Sequence, residues 1–129
     1  MLIELLSNPL PKARPRFSRE DRVYDIQHRE KLAQKRDLLR FGMLGDENSS
    51  YSVSLYFYCK IPASWSKKKK RQAVLGQIQH TSCDVDNLIK FLFDNMNGII
   101  IPDDRQIKEI HAAKYYSLEP RTVIDISCI

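Results

Sequence analysis

Hydrophobic and polar positions change period several times along the chain, and each change predicts an element. Leu2–Leu6 is a short apolar run without breakers, which predicts a strand ended by Ser7-Asn8-Pro9. Pro9, Pro11 and Pro15 then keep the next residues extended, because proline fixes φ and has no amide hydrogen. From about Tyr24 to Leu44 leucines and charges mix without a breaker before Gly42, the pattern of an amphipathic helix that closes near Gly42 and Gly45. Tyr51–Lys60 alternates Val53, Leu55 and Phe57 with Ser52, Ser54 and Tyr56, so it predicts a half-buried strand. Its tyrosines suit cross-strand packing. Beyond Pro62, Ser64 can cap a helix running to about Gly76, and a polar loop holding His80 follows.

The stretch from Asp84 to Gly98 has the strongest helical pattern. Leu88, Leu92 and Met96 fall on one line, with Ile89 and Phe93 beside it and Phe91 widening the apolar surface. Asp86, Lys90, Asp94 and Asn97 form the opposite polar stripe. Ile99–Ile101 then predicts a brief strand, Pro102–Arg105 a turn, Gln106–Tyr116 a second strand and Thr122–Ile129 a last one. A hairpin between 99–101 and 106–112 would carry Asp104 at its tip. Together these elements predict one α+β domain over residues 1–129, a mixed β-sheet of about four strands with helices packed against it.

Composition narrows the class. The chain has 129 residues, 43% of them hydrophobic and 29% charged, enough to bury a core without disulfides. Its apolar runs are too short to span a membrane, and Met1–Glu4 lacks the basic start of a signal peptide, so a cytoplasmic protein is expected. Cys59, Cys83 and Cys128 are an odd, widely spaced set, which points to free thiols in a reducing compartment. His80 and Cys83 have no second pair nearby at zinc spacing. Charge is uneven. Residues 1–83 hold 16 Lys and Arg against 8 Asp and Glu, whereas residues 84–129 hold 5 against 8. A basic half suits phosphates and an acidic half suits a cation. Lys12, Arg14 and Arg16 alternate on the proline-stiffened segment, so an extended backbone aims them to one side. Lys67, Lys68, Lys69, Lys70 and Arg71 surround a helix start, where cations oppose the helix dipole. A solvated face is the plain alternative for that run.

The acidic half contains the candidate chemistry. Asp84 and Asp86 stand two residues apart, Lys90 follows one turn beyond Asp86, and the pair Asp103-Asp104 comes downstream. Carboxylates are the hard oxygen ligands that Mg²⁺ takes, usually a few at a time with water and substrate phosphate completing its shell. A lysine beside them can face the negative charge that builds on a phosphate under attack. Alone, Asp-x-Asp is a weak signal, because acids at a helix start are commonly caps.

Asp84-x-Asp86-Asn87-Leu88-x-Lys90, Asp94-x-x-Asn97-Gly98 and Asp103-Asp104-x-Gln106-Ile107 together closely resemble the RusA family of Holliday junction resolvases. Pro11-Lys12-x-Arg14-Pro15-Arg16 and Trp65-Ser66-Lys67-Lys68-Lys69 resemble that family's early segments, so the likeness runs from about residue 9 to 116. It implies a small homodimeric α+β endonuclease, encoded by bacteria, prophages or phages, that cuts four-way DNA junctions symmetrically in recombination and repair with Mg²⁺ or Mn²⁺. It also implies Asp84, Asp86 and Asp104 as metal ligands, Lys90 as the catalytic lysine, and Lys12, Arg14, Arg16 and Lys67–Arg71 as DNA contacts. A non-cleaving DNA-binding relative, such as a prophage relic, and a nuclease of flaps or RNA are the alternative functions. Ser82-Cys83 replace the basic residue or proline that relatives often carry before the first aspartate.

Overall fold

The computed structural model describes residues 1–13 and 27–129, together with the backbone of 16–17 and 23–24. The alternation of Tyr51–Lys60 sets the centre of the fold. This strand, β4, buries Tyr51, Val53, Leu55, Phe57 and Cys59 on one face and leaves its other residues half-buried, apart from the exposed Lys60. β1 is Leu2–Leu5, β5 is Ile107–Ser117 and β6 is Arg121–Cys128. They form a four-stranded sheet in the order β1-β6-β4-β5. β6 lies antiparallel between β1 and β4, whereas β5 runs parallel to β4, from Tyr51 opposite Ile107 to Lys60 opposite Ser117. The sheet is therefore mixed, and the domain is α+β. Arg16–Phe17 (β2) and Val23–Tyr24 (β3) make a separate two-stranded ladder.

Among the described residues three α-helices complete the domain: α1 over His28–Leu38, α2 over Lys67–Val74 and α3 over Val85–Met96. α3 supplies Leu88, Leu92, Phe93 and Met96 to the core beneath β4, where Ile3, Leu5, Ile124 and Ile126 join them. Each such side chain contributes about 1.5–3 kcal/mol through its removal from water. α1 lies against α3, and the buried Asn95 amide of α3 donates to Gln34 Oε1 of α1 at 2.7 Å. On the opposite face of the sheet Tyr58 stacks on Tyr115 at 5.5 Å, the cross-strand role expected of that strand's aromatics.

Four expectations change. The first helix starts at His28 and ends at Leu38, because Val23–Tyr24 belong to a strand pair and Leu39–Leu44 turn back before Gly45. The second helix is capped by Ser66, whose hydroxyl accepts Lys69 N–H at 3.2 Å; Ser64 lies in the preceding turn. Ile99–Ile101 is a tight turn and no strand: the amides of Ile99 and Ile100 both donate to Met96 O, and Gly98 N–H donates to Ile101 O at 2.7 Å. Ile100 and Ile101 are fully buried, so their apolar run reflects burial on all sides and carries no strand period. The 99–112 hairpin is accordingly absent, and β5 finds its partner in β4 after a crossover through α2 and α3. No helix among the described residues is long and apolar enough to cross a membrane.

Candidate active site

Asp84 and Asp86 owe their places to α3. Asp84 is the N-cap residue with extended backbone, and its side chain makes no cap hydrogen bond, so the carboxylate stays available. The apolar face of α3 is fixed in the core. The opposite stripe, Asp86, Lys90 and Asp94, therefore has a set direction. Asp86 and Lys90 are exposed and Asp94 is half-buried. Among the described residues Lys90 has no ion pair.

Asp104 arrives by a different route. The turn after α3 is tied down by Leu44 N–H donating to Ile100 O at 2.8 Å. Beyond it the 3-10 turn Asp104–Gln106 is held by Gln106, whose amide donates to Asp46 O at 3.0 Å and Ser49 O at 2.9 Å. That accepting loop has its own constraint. Gly45 has φ +73°, and a Cβ there would meet Ser49 Oγ at 2.5 Å and Tyr51 Oη at 2.7 Å. Asp103 caps the turn and is turned away: Oδ1 accepts Arg105 N–H at 2.9 Å, and Oδ2 accepts Arg105 Nε at 3.1 Å and Nη2 at 2.8 Å. Hydrogen bonds from the Arg105 side chain and backbone hold the Asp103 carboxyl down to about 2.

The result is a cleft of about 720 Å³ lined by Lys12, Ala13, Asp84, Asp86, Asn87, Lys90, Asp94 and Asp104. Asp103 lines a neighbouring depression with Arg105. Lys12 is the wall facing α3. Its backbone N–H donates to Asn87 O at 2.9 Å, and its ammonium pairs with the Asp94 carboxylate. Three further carboxylates thus share the cleft with Lys90 in a protein whose net charge is +5. A divalent cation would be attracted to such a concentration of carboxylates. The carboxylates do not close into a ready-made cluster of three ligands among the described residues. Mg²⁺ commonly binds through one or two carboxylates plus waters and phosphate, so an open acidic wall suits it in donor type and number.

The lysine run lies elsewhere. None of Lys67–Arg71 lines the cleft. Lys67, Lys70 and Arg71 edge a separate shallow groove floored by Val74 and Leu118, while Lys69 sits over the Trp65 ring at 3.9 Å. Trp65 packs edge-on against Tyr116, which stacks on His80 at 4.0 Å. Burial and Lys114 lower the pKa of His80, which favours its neutral form. Arg14 lies outside the described residues, and of Arg16 only the backbone, in β2, is described. The Cys83 position has a structural role here: its carbonyl accepts the Lys114 ammonium, and its thiol lies beside that of Cys59. Burial chiefly, and Cys83 next, push the Cys59 thiol up to about 12. All three cysteines are free. The residue that sequence reasoning missed in the cleft is Asp94. Its signal was present, one turn beyond Lys90 on the same stripe.

The chain is similar to known proteins. The sequence model of a family described as "Endodeoxyribonuclease RusA" matches residues 7–127. A Bacillus subtilis (strain 168) protein, "Uncharacterized protein YqaN", is 38% identical over 78 residues, 60% of this chain. The match spans 55% of the relative, so the chain covers about half the length of that curated protein.

Proposed function

The chain belongs to the RusA endodeoxyribonuclease family, and from that premise we propose that it cuts branched DNA, four-way junctions above all, at the acidic cleft. The observation that carries the reading is the meeting of Asp84, Asp86 and Asp104 in one cleft with Lys90, from two separately anchored elements. Asp84, Asp86 and Asp104 would hold Mg²⁺, with Mn²⁺ able to replace it. A bound Mg²⁺ supplies a water acidified for attack and positive charge against the phosphate oxygens. Lys90, without an ion pair among the described residues and carried on a helix whose other face is buried, presents its ammonium to a scissile phosphate as negative charge grows on it. Lys67–Arg71, outside the cleft, draw in the polyanion, and Arg14 and Arg16 add cations that contact it. A junction offers two equivalent strands, so paired cuts call for two copies of the chain about a twofold.

The test offers a mobile and a fixed four-way junction, a flap, a plain duplex, a single strand and an RNA duplex to the protein in Mg²⁺, Mn²⁺ or EDTA. Paired symmetric nicks in junctions that vanish in EDTA and in Asp86→Asn are expected. Junction binding without cutting in either metal would overturn the nuclease reading. Cutting confined to flaps or RNA would overturn the junction.

A further inference from the structure

The Lys12–Asp94 pair joins two elements that are 82 residues apart in sequence, at the edge of the cleft. Other contacts already hold both elements. The extended segment carrying Lys12 is already attached by backbone and amide bonds: Lys12 N–H to Asn87 O, Ala13 N–H to Gln27 Oε1 at 2.8 Å, and Gln27 Nε2 to Pro11 O at 2.8 Å. α3 is attached by its apolar face. The two charged groups are themselves 36% and 37% exposed, and an ion pair that wet contributes little stability. Its effect is on direction. A lysine side chain on a flexible stem would otherwise sweep toward solvent. Here its ammonium is kept on the wall shared with Lys90, Asp84, Asp86 and Asp104.

We propose that Asp94 is a positioning residue: it holds the Lys12 ammonium at the cleft and hands it to a phosphate oxygen of the bound strand, opposite Lys90. The inference rests on the nuclease reading and deepens it. Asp94 never touches the phosphate. It acts through Lys12, and its own charge works against substrate binding. Those two effects have opposite signs, which makes the idea testable.

Three variants, Asp94→Asn, Lys12→Met and the double variant, are compared with the wild type on a four-way junction. Binding is measured in EDTA, and cutting in Mg²⁺ at saturating protein in a single turnover. Lys12→Met should bind more weakly, with a log affinity–log salt slope shallower by about 0.9, the loss of one phosphate contact. It should also cut at least 10-fold more slowly, the low side of the about 10²–10³-fold effect of removing a preorganised charge-stabilising group. Asp94→Asn should bind several-fold more tightly, since a carboxylate beside the phosphate has gone, yet cut several-fold more slowly. The double variant should cut at the rate of Lys12→Met alone, because Asp94 has nothing to position without Lys12, while binding more tightly than Lys12→Met, because the carboxylate has gone. Asp94→Glu should recover part of the rate. Asp94→Asn binding and cutting both weakened together would indicate a structural residue and overturn the proposal, as would multiplying effects on the cutting rate in the double variant or an unchanged Asp94→Asn. A wild type that never cuts would overturn the nuclease reading itself; a cutting wild type with any of the contrary variant results overturns only the role of Asp94.

Discussion

α2 and α3 are two short helices built on opposite terms. α3 buries six of its twelve residues and shows solvent one narrow stripe. α2 buries only Ala73 of its eight and surrounds its first turns with cations. The helix that presents the acidic stripe is the one whose other face is core. Carboxylates and a lysine that must meet one phosphate need positions held to a fraction of an ångström, and a packed face supplies that. Charges that attract a polyanion from a distance need no such support, and α2 has almost none. Its Ser66 cap and the Trp65 contact with Tyr116 offset part of the unfavourable placement of cations at a helix start.

The largest effect that separates the two helices is on cutting. Asp86→Asn should lower the single-turnover rate on a junction by at least about 10²-fold, the scale of losing one preorganised charged group, while binding in EDTA holds or tightens. Replacing Lys67, Lys68, Lys70 and Arg71 with Gln should leave that rate, at saturating protein, within a few-fold. A collapse of the bound rate in the α2 variant would mean that α2 belongs to the site and would erase the contrast.

Stability comes next. Leu92→Ala removes a side chain that is 1% exposed beneath β4 and should cost about 2–5 kcal/mol in urea unfolding. Leu75→Ala, just past α2 and 63% exposed, should stay within about 0.5 kcal/mol. Equal losses would show that α2 is supported as firmly as α3. The third effect is smaller and belongs to salt. The α2 Gln variant should flatten the log affinity–log salt slope by up to about 0.9 for each cation that touches a phosphate. The same variant should gain a few tenths of a kcal/mol in folding, because cations leave a helix N-terminus. An unchanged slope would return α2 to an ordinary solvated face.

The two helices also differ in how well the sequence exposes them. On α3 the apolar line through Leu88, Leu92 and Met96 and the stripe through Asp86, Lys90 and Asp94 are one periodic fact, and the fold keeps both. β4 is legible for the same reason, through Val53, Leu55 and Phe57. The route of Asp104 is not. It depends on β5 pairing in parallel with β4 and on Gln106 bonding to the 46–49 loop, both contacts between residues far apart in the chain. Local pattern favoured the nearest partner, and the burial of Ile100 and Ile101 imitated a strand. Lys12 was legible as a cation on an extended segment but not as a wall of the cleft, since that place is set by Asn87 and Asp94. On α2 the charges were evident, yet only the packing of Trp65 and Tyr116 divides them between a groove edge and a ring face.

Asp103 provides the finest test of the boundary between the cleft and what surrounds it. It is adjacent to Asp104 in sequence, carries the same charge, and lines a different depression. If position in the cleft is what matters, Asp104→Asn should lose cutting and Asp103→Asn should keep it within a few-fold at neutral pH. The reverse pattern would assign the site to the other carboxylate. Asp103 should register in folding at low pH instead. Arg105 holds its carboxyl at about 2, below the ordinary aspartate value of about 3.9. A depressed carboxyl stabilises the fold above the unfolded value and stops doing so as pH falls through the folded one. The wild type should therefore exceed Asp103→Asn in urea midpoint by a constant small margin above about pH 4, and the margin should close by about pH 2. Asparagine can still accept the Arg105 backbone N–H, so the comparison isolates the charge from the cap. The margin must be small, because Arg105 is 87% exposed and water competes for the pair. A margin that persisted below pH 2 would mean that Asp103 contributes through the turn and not through its charge.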